Sequence, residues 1–128
     1  MTGSLDTNVV LRLLVGDVRD QYFSARALVD SGQFRVADAA AIEVTFALGR
    51  YYKFTRTEQR TVLVGFLALP NIESNLALLA DSFDRYVNHP RLSFEDCYLV
   101  TAAEHSDSAP LFTFDEKLAS QTSAELVR

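Results

Sequence analysis

The sequence predicts an α/β fold in which a short central parallel sheet is flanked by helices. Short stretches with strand character alternate with longer segments whose apolar residues recur at helical spacing, and this alternation is typical of βαβ units. The length of 128 residues suits one domain, so we assign residues 1–128 to a single domain. A composition that is 48% hydrophobic and 23% charged is sufficient for a full core.

Five short strands are predicted between the helical segments. They comprise residues 2–5, 34–37, 71–73, 111–114 and 124–127. Gly3 and Ser4 weaken the first strand, whereas residues 111–114 form the strongest strand of the set. Ligands of parallel sheets bind outside the carboxyl ends of the strands. The residues that directly follow the strands are therefore the first candidates for a functional site.

Helices are predicted between these strands, with their limits set by capping residues, glycines and prolines. They cover residues 8–15, 19–31, 39–53, 57–68 and 75–88, then a helix that Ser93 opens and a short one from Asp115 to about Ala119. Helical spacing places Phe23, Phe46 and Phe66 on the apolar faces of the second, third and fourth helices.

The sequence also excludes several classes of protein. With Cys97 as its single cysteine the chain has no intramolecular disulfide, which fits a reducing compartment. No apolar run reaches the length of a membrane span, and no signal-peptide pattern begins the sequence, so we expect a cytoplasmic protein without membrane contact. The net charge of -5 argues against broad electrostatic capture of nucleic acid.

Four acidic residues lie at the edges of apolar segments and have no basic residue directly beside them: Asp6, Glu43, Asp96 and Asp115. Carboxylates next to core segments are costly to leave unpaired. Two carboxylates about 5 Å apart repel by roughly 3 kcal/mol at an effective dielectric of about 20, and a bound cation relieves this repulsion. Oxygen ligands suit Mg²⁺ or Mn²⁺. The acids therefore predict a metal site that hydrolyses phosphodiesters.

A simpler explanation exists for three of these acids. Asp6, Asp96 and Asp115 could each serve as a helix cap or as an acid in a first helical turn. Ser93 already provides the cap of its helix, so Asp96 is not needed for that role. Glu43 lies inside an apolar helix, where capping does not explain it.

The chain resembles the PIN-domain ribonucleases and, more narrowly, the VapC-type toxins of bacterial and archaeal toxin–antitoxin pairs. The resemblance rests on four ordered segments, Leu5-Asp6-Thr7-Asn8-Val9-Val10-Leu11-Arg12, Ile42-Glu43-Val44, Phe94 to Val100 with Ala102-Ala103-Glu104, and Leu111 to Leu118. It implies a single PIN-like domain that cuts RNA with Mg²⁺ or Mn²⁺. It also implies a homodimer and a small antitoxin protein as partner.

The resemblance assigns roles to the four acids by position. Asp6 and Asp96 would be the principal metal ligands. Glu43 would be a ligand or hold a ligating water, and Asp115 would be the outer, more variable acid. All four would thus be catalytic residues.

The resemblance also assigns supporting roles. Asn8 and Thr113 would donate or accept hydrogen bonds that orient the carboxylates. Arg12 would pair with an acid of the site or contact phosphate, and the alternative is a surface arginine on a helix.

The densest basic stretch of the chain includes Arg50 and Lys53, with Tyr51, Tyr52 and Phe54 interleaved. Phosphate contact combined with base stacking would suit single-stranded RNA. The alternative for this stretch is a solvated helix end with packed aromatic side chains.

Three functions compete at this stage. The first is a metal-dependent endoribonuclease, the toxin of a type II toxin–antitoxin system. The second is a catalytically inactive PIN-like module that binds RNA or protein, against which the presence of all four acids argues. The third, a receiver-type signalling domain, ranks last because the middle strand ends in Glu73 and not in a phosphoacceptor aspartate.

Overall fold

The computed structural model describes residues 2–128, in which five strands and seven helices follow one another in the predicted order. The elements are β1 (Thr2–Ser4), α1 (Thr7–Val15), α2 (Arg19–Asp30), β2 (Gln33–Arg35), α3 (Asp38–Arg50), α4 (Arg56–Leu67), β3 (Ile72–Glu73), α5 (Leu76–Asn88), α6 (Phe94–His105), β4 (Phe112–Thr113), α7 (Glu116–Gln121) and β5 (Glu125–Leu126). The predicted α/β class is confirmed.

The strands pair in parallel within two units of the chain. The first unit extends to Leu76 and contains a three-stranded sheet in the order β1-β2-β3. Phe34 of the central strand lies opposite both Gly3 and Ile72. The second unit, Ala77–Arg128, contains the parallel pair of β4 and β5.

Local capping interactions determine where the helices begin and end. Asp6 caps α1 by accepting a hydrogen bond from the backbone N–H of Val9, and Gly16 ends that helix in a left-handed conformation with φ of 69°. Thr55 and Glu58 form a reciprocal capping box at the start of α4. The sequence-based limits of these helices are confirmed to within two residues.

The predicted apolar faces of two helices are wrong. Phe23 on α2 and Phe46 on α3 have exposed fractions of 57% and 64%. The inward faces carry smaller side chains, with Ala25 and Val29 buried on α2 and Val44 fully buried on α3. Both helices have two apolar stripes, and helical spacing alone does not decide which stripe faces the core. The smaller residues take the inward face, which leaves the phenylalanines exposed.

The strand over residues 111–114 is shorter than predicted. Only Phe112 and Thr113 form ladder contacts, and these go to β5. The side chains of Phe112 and Phe114 are 63% and 81% exposed. Apolar composition predicts strand character at this segment, but the two-residue partner strand limits the length of the ladder.

The second unit has an aromatic cluster in its interior. The ring of Phe94 lies 4.4 Å from that of Phe83 and 5.4 Å from that of Tyr86, between centroids. Cys97 on α6 is fully buried as a small core side chain. Within residues 2–128, no helix combines the length and apolarity needed to cross a bilayer.

Candidate active site

Asp6 leaves the sheet of the first unit at the carboxyl end of β1. The backbone N–H of Leu5 donates to the carbonyl oxygen of Arg35 at 2.9 Å, which extends the β1–β2 pairing to the residue before Asp6. The Asp6 Oδ1 atom accepts from the Val9 N–H at 3.0 Å. Within residues 2–128 the other carboxylate oxygen of Asp6 has no hydrogen-bond partner. The cap therefore fixes Asp6 and leaves one oxygen available to a ligand.

Glu43 is connected to the start of α1 by a side-chain hydrogen bond. The Thr7 hydroxyl donates to Glu43 Oε2 at 2.9 Å. Glu43 lies in the second turn of α3, directly after β2, and its side chain is exposed. Because Thr7 follows Asp6, this bond brings the two acids of the first unit into one local arrangement. The sequence analysis did not predict this role of Thr7, which a hydroxyl residue next to a candidate acid could have signalled.

Asp96 lies in the first turn of α6, where Ser93 provides the cap. The Ser93 Oγ accepts from the backbone N–H of Asp96 at 3.1 Å, which confirms that Ser93 caps this helix. The Asp96 carboxylate has no hydrogen-bond partner within residues 2–128. Both of its oxygens are available to a ligand.

Asp115 caps α7 and is itself held by Thr113. Its Oδ1 accepts from the Leu118 N–H at 3.1 Å, and its backbone N–H donates to the Thr113 hydroxyl at 3.0 Å. Capping therefore accounts for part of the environment of Asp115, as it does for Asp6. Thr113 acts on the backbone of Asp115, and its predicted effect on the carboxylate stays a prediction.

The charges of the four acids are not neutralised by ion pairs within residues 2–128. Each acid retains at least one carboxylate oxygen without a hydrogen bond from this part of the chain. In their chemistry these donors fit a hard divalent cation. Among the described residues of either unit, no group of three or more His, Cys, Asp or Glu side chains is placed to hold a metal ion.

Arg12 and Asn8 line a groove beside Asp6. The groove has a volume of about 460 Å³ and is lined by Asp6, Asn8, Val9, Arg12, Asp20, Gln21, Ser24, Ala25 and Leu28. Arg12 Nε donates to Gln21 Oε1 at 2.6 Å, and its Nη1 donates to the Tyr52 hydroxyl at 3.3 Å. Arg12 thus connects α1 to α2 and to the end of α3, and RNA contact by Arg12 stays a prediction. Asn8 is exposed on the rim, and its orienting role likewise stays a prediction.

The basic candidates Arg50 and Lys53 lie at the end of α3. Both are exposed, and Lys53 Nζ donates to the carbonyl oxygen of Arg50 at 3.1 Å. Of the interleaved aromatic residues, Tyr51 is exposed, whereas Tyr52 and Phe54 are half-buried.

A polar cluster in the second unit was not predicted. Glu104 on α6 accepts hydrogen bonds from the Ser123 hydroxyl and from Arg85 Nη2, the latter at 2.8 Å. The Ser123 hydrogen bond, aided by Arg85, holds the pKa of Glu104 below its ordinary value of 4.5 although burial opposes this. Ser123 and Arg85 each lie 19 residues from Glu104, so no local pattern predicts the cluster.

The two histidines lie at helix ends. His105 ends α6 and its Nε2 lies 2.8 Å from Asp81 Oδ2, while His89 Nδ1 lies 2.8 Å from the carbonyl oxygen of Arg85. These contacts are with helix termini and surface acids, away from the candidate acids in sequence.

Parallel strands, intervening helices and acids that follow two of the strands define an α/β protein. The family model of the PIN domain matches residues 4–122, so the chain belongs to the PIN domain family. PIN domains are generally nucleases. A comparison with curated proteins gave no match.

Proposed function

We propose that this PIN-domain protein is an endoribonuclease that uses Mg²⁺ or Mn²⁺ to hydrolyse phosphodiester bonds of RNA. The observation that carries the proposal is the state of its four acids. Asp6, Glu43, Asp96 and Asp115 have no ion-pair partner within residues 2–128 and keep carboxylate oxygens available to a cation. Glu43 and Asp96 do not cap a helix, so capping does not account for all four acids.

The four acids would differ in their roles as metal ligands. Asp6 and Asp96 would be the principal ligands, with Glu43 and Asp115 as supporting acids. When bound, the divalent ion supplies an activated water and stabilises charge that develops on the phosphate. The Val9 N–H fixes one oxygen of Asp6, and the Thr7 hydroxyl fixes one oxygen of Glu43, so both carboxylates are oriented before any ligand arrives.

A cleavage assay tests the proposal. Purified protein is incubated with labelled structured RNA in Mg²⁺, in Mn²⁺ and in EDTA, beside the variant Asp96→Asn. We expect cleavage by the wild type in either metal, none in EDTA, and a loss of about 100-fold or more in the variant. Glu95→Gln is the matched control, because Glu95 is an exposed acid in the same helical turn.

Equal behaviour of wild type and Asp96→Asn in metal and in EDTA would contradict the nuclease. RNA binding without cleavage would then favour the alternative, an inactive PIN-like module that binds RNA or protein.

The biological role that we propose is that of a VapC-type toxin, a cytoplasmic homodimer restrained by a small antitoxin protein. Expression in a bacterial host should arrest growth for the wild type and not for Asp96→Asn. Co-expression of a short neighbouring reading frame that encodes a DNA-binding protein should restore growth. Sedimentation of the purified chain tests the homodimer. If the protein cleaves RNA in the assay but its expression does not affect growth, the toxin role would be contradicted and the nuclease function would stand.

A further inference from the structure

The basic residues of the chain are concentrated in one short segment. Residues 46–60 contain four basic residues and one acidic residue, whereas the rest of the chain contains eight basic and sixteen acidic residues. An acidic protein that segregates its positive charge in this way presents a local surface that attracts a polyanion, although its net charge does not.

The exposed face of α3 connects this segment to a candidate acid. Glu43, Phe46 and Arg50 recur at spacings of three and four residues and are all exposed, while the opposite face of the helix is buried. Successive residues of an α-helix rise by about 1.5 Å, so Arg50 lies about 10 Å from Glu43 along the helix axis. One strand of RNA is long enough to contact both residues.

Two exposed aromatic rings stand on this face. Phe46 and Tyr51 are 64% and 69% exposed, and their rings meet edge to face with centroids 6.4 Å apart. Aromatic side chains of this size are normally buried, so their joint exposure beside basic residues indicates a binding surface. The exposed parts of both rings are accessible to a base.

The backbone conformation of Lys53 directs its side chain toward the C-terminal end of α3. Its φ of 60° is left-handed, which is uncommon for lysine, and this conformation returns the side chain to the carbonyl oxygen of Arg50. The ammonium group therefore lies beside the Arg50 backbone. The guanidinium of Arg50 has no ion-pair partner within residues 2–128. Two positive charges therefore lie at the C-terminal end of the exposed face that begins at Glu43.

We propose that Glu43, Phe46, Arg50, Tyr51 and Lys53 form a track, here called the α3 track, that binds single-stranded RNA next to the cleavage site. Phe46 and Tyr51 stack on bases, and Arg50 and Lys53 contact phosphates. This inference rests on the proposed nuclease function and names the form of RNA that the site takes. Paired bases offer no open faces for stacking, so the track selects single strands or loops over duplexes.

A second copy of the chain is a poorer occupant of this surface. A symmetric dimer contact centred on Arg50 and Lys53 would place these residues of one copy near the same residues of the other. The like charges would repel, whereas RNA neutralises them. Charge complementarity therefore favours RNA over self-association.

Binding to an inactive protein tests the track separately from cleavage. In the full-length Asp96→Asn background, anisotropy is measured with a fluorescein-labelled single-stranded oligoribonucleotide of mixed sequence. We expect Phe46→Ala and Tyr51→Ala each to weaken binding about 10-fold. Arg50→Ala should weaken binding and reduce the slope of log affinity against log salt by about 0.7. A duplex of the same sequence should compete poorly.

Phe23→Ala is the matched control for Phe46→Ala. Phe23 is an exposed phenylalanine on a helix of the same unit and also meets a tyrosine edge to face, with centroids 5.4 Å apart. Its removal should change RNA affinity by less than about two-fold, since the guanidinium of Arg19 already lies over its ring, 5.6 Å from the centroid, where a base would have to stack.

The outcomes separate this inference from the proposed function. Weakened binding by the track variants, with no cleavage by the wild type in metal, would support the track and contradict the nuclease. Cleavage by the wild type, with unchanged affinity and salt slope in the track variants, would overturn the track. Unchanged affinity together with conversion of a dimer to a monomer by Phe46→Ala would assign this surface to self-association and also overturn the inference.

Discussion

The two pairs of candidate acids are held in different ways. In the first unit, Thr7 follows Asp6 directly and donates a hydrogen bond to Glu43, so one short segment orients both acids. In the second unit, Asp96 lies in the first turn of α6 whereas Asp115 caps α7, and the two acids share no hydrogen bond. The first pair can therefore be disturbed through a single hydroxyl, whereas the second pair must be disturbed one acid at a time.

The largest effect is expected at Asp6, where two substitutions distinguish its role as a helix cap from its proposed role as a metal ligand. Asp6→Asn and Asp6→Ala should both lower RNA cleavage about 100-fold, because both remove the anionic oxygen. Only Asp6→Ala should also lower the free energy of unfolding, by about 1 kcal/mol, because asparagine still accepts the cap hydrogen bond from Val9. Cleavage rates and urea unfolding measure the two effects. Full cleavage by Asp6→Asn would show that Asp6 is a cap and nothing more.

A smaller effect is expected when the hydrogen bond from Thr7 to Glu43 is removed. Thr7→Val keeps the shape of the side chain but removes the donor to Glu43. We expect the Mn²⁺ concentration for half-maximal cleavage to rise about 10-fold, as for other changes that disorient a metal ligand. Thr7→Ser keeps the hydroxyl and should behave as the wild type. Identical metal titrations for the valine and serine variants would refute the orienting role.

The second unit should show its own pH dependence through Glu104. Its folded-state pKa lies below the unfolded value, so the carboxylate stabilises the fold above that value and loses this effect as the pH falls through the folded-state pKa. Glu104→Gln should therefore lower the free energy of unfolding by about 1 kcal/mol at neutral pH. The difference from the wild type should shrink as the pH falls below about 4.

Urea unfolding at the two ends of this pH range measures the prediction. Glu95→Gln is the control, since Glu95 is an exposed acid on the same helix. A difference between Glu104→Gln and the wild type that stays constant with pH would show that Glu104 acts by packing and not by charge.

The smallest effect concerns the end of α6. Asp107 has a φ of 55°, and the following N–H, that of Ser108, donates back to the carbonyl oxygen of Ala103 at 2.8 Å. Asp107→Gly removes a side chain from a residue with left-handed backbone conformation, and it also removes a negative charge near a helix C-terminus. It should therefore stabilise the fold by about 0.5 kcal/mol. Asp107→Asn removes only the charge. Thermal unfolding should rank glycine above asparagine and asparagine above the wild type, with cleavage unchanged; a glycine variant less stable than the wild type would contradict this ranking.

Features that depend on nearby residues could be predicted from the sequence. Asp6, Thr55 and Ser93 each cap a helix through a backbone N–H three residues further along the chain, so a short pattern contains both partners. The order of strands and helices, and the placement of Asp6 and Asp115 after strands, follow from the same kind of local signal.

Features that depend on distant partners could not be predicted. The Thr7–Glu43 hydrogen bond spans 36 residues, and the exposure of Phe46 depends on which stripe of α3 the rest of the unit covers. Arg12 shows the same limit, because its partner Tyr52 is 40 residues away. The spacing of apolar residues indicates a helix correctly, but the choice of buried face is decided by packing.

The buried thiol of Cys97 gives the chain an internal reporter. It is the single cysteine of the sequence, and it directly follows Asp96 on α6. A thiol reagent reaches it only when this helix opens, so the rate of modification measures local opening. A ligand that binds the closed form through Asp96 lowers the population of open molecules and slows modification in proportion. Occupancy at this acid can thus be followed in the native sequence without substrate and without turnover.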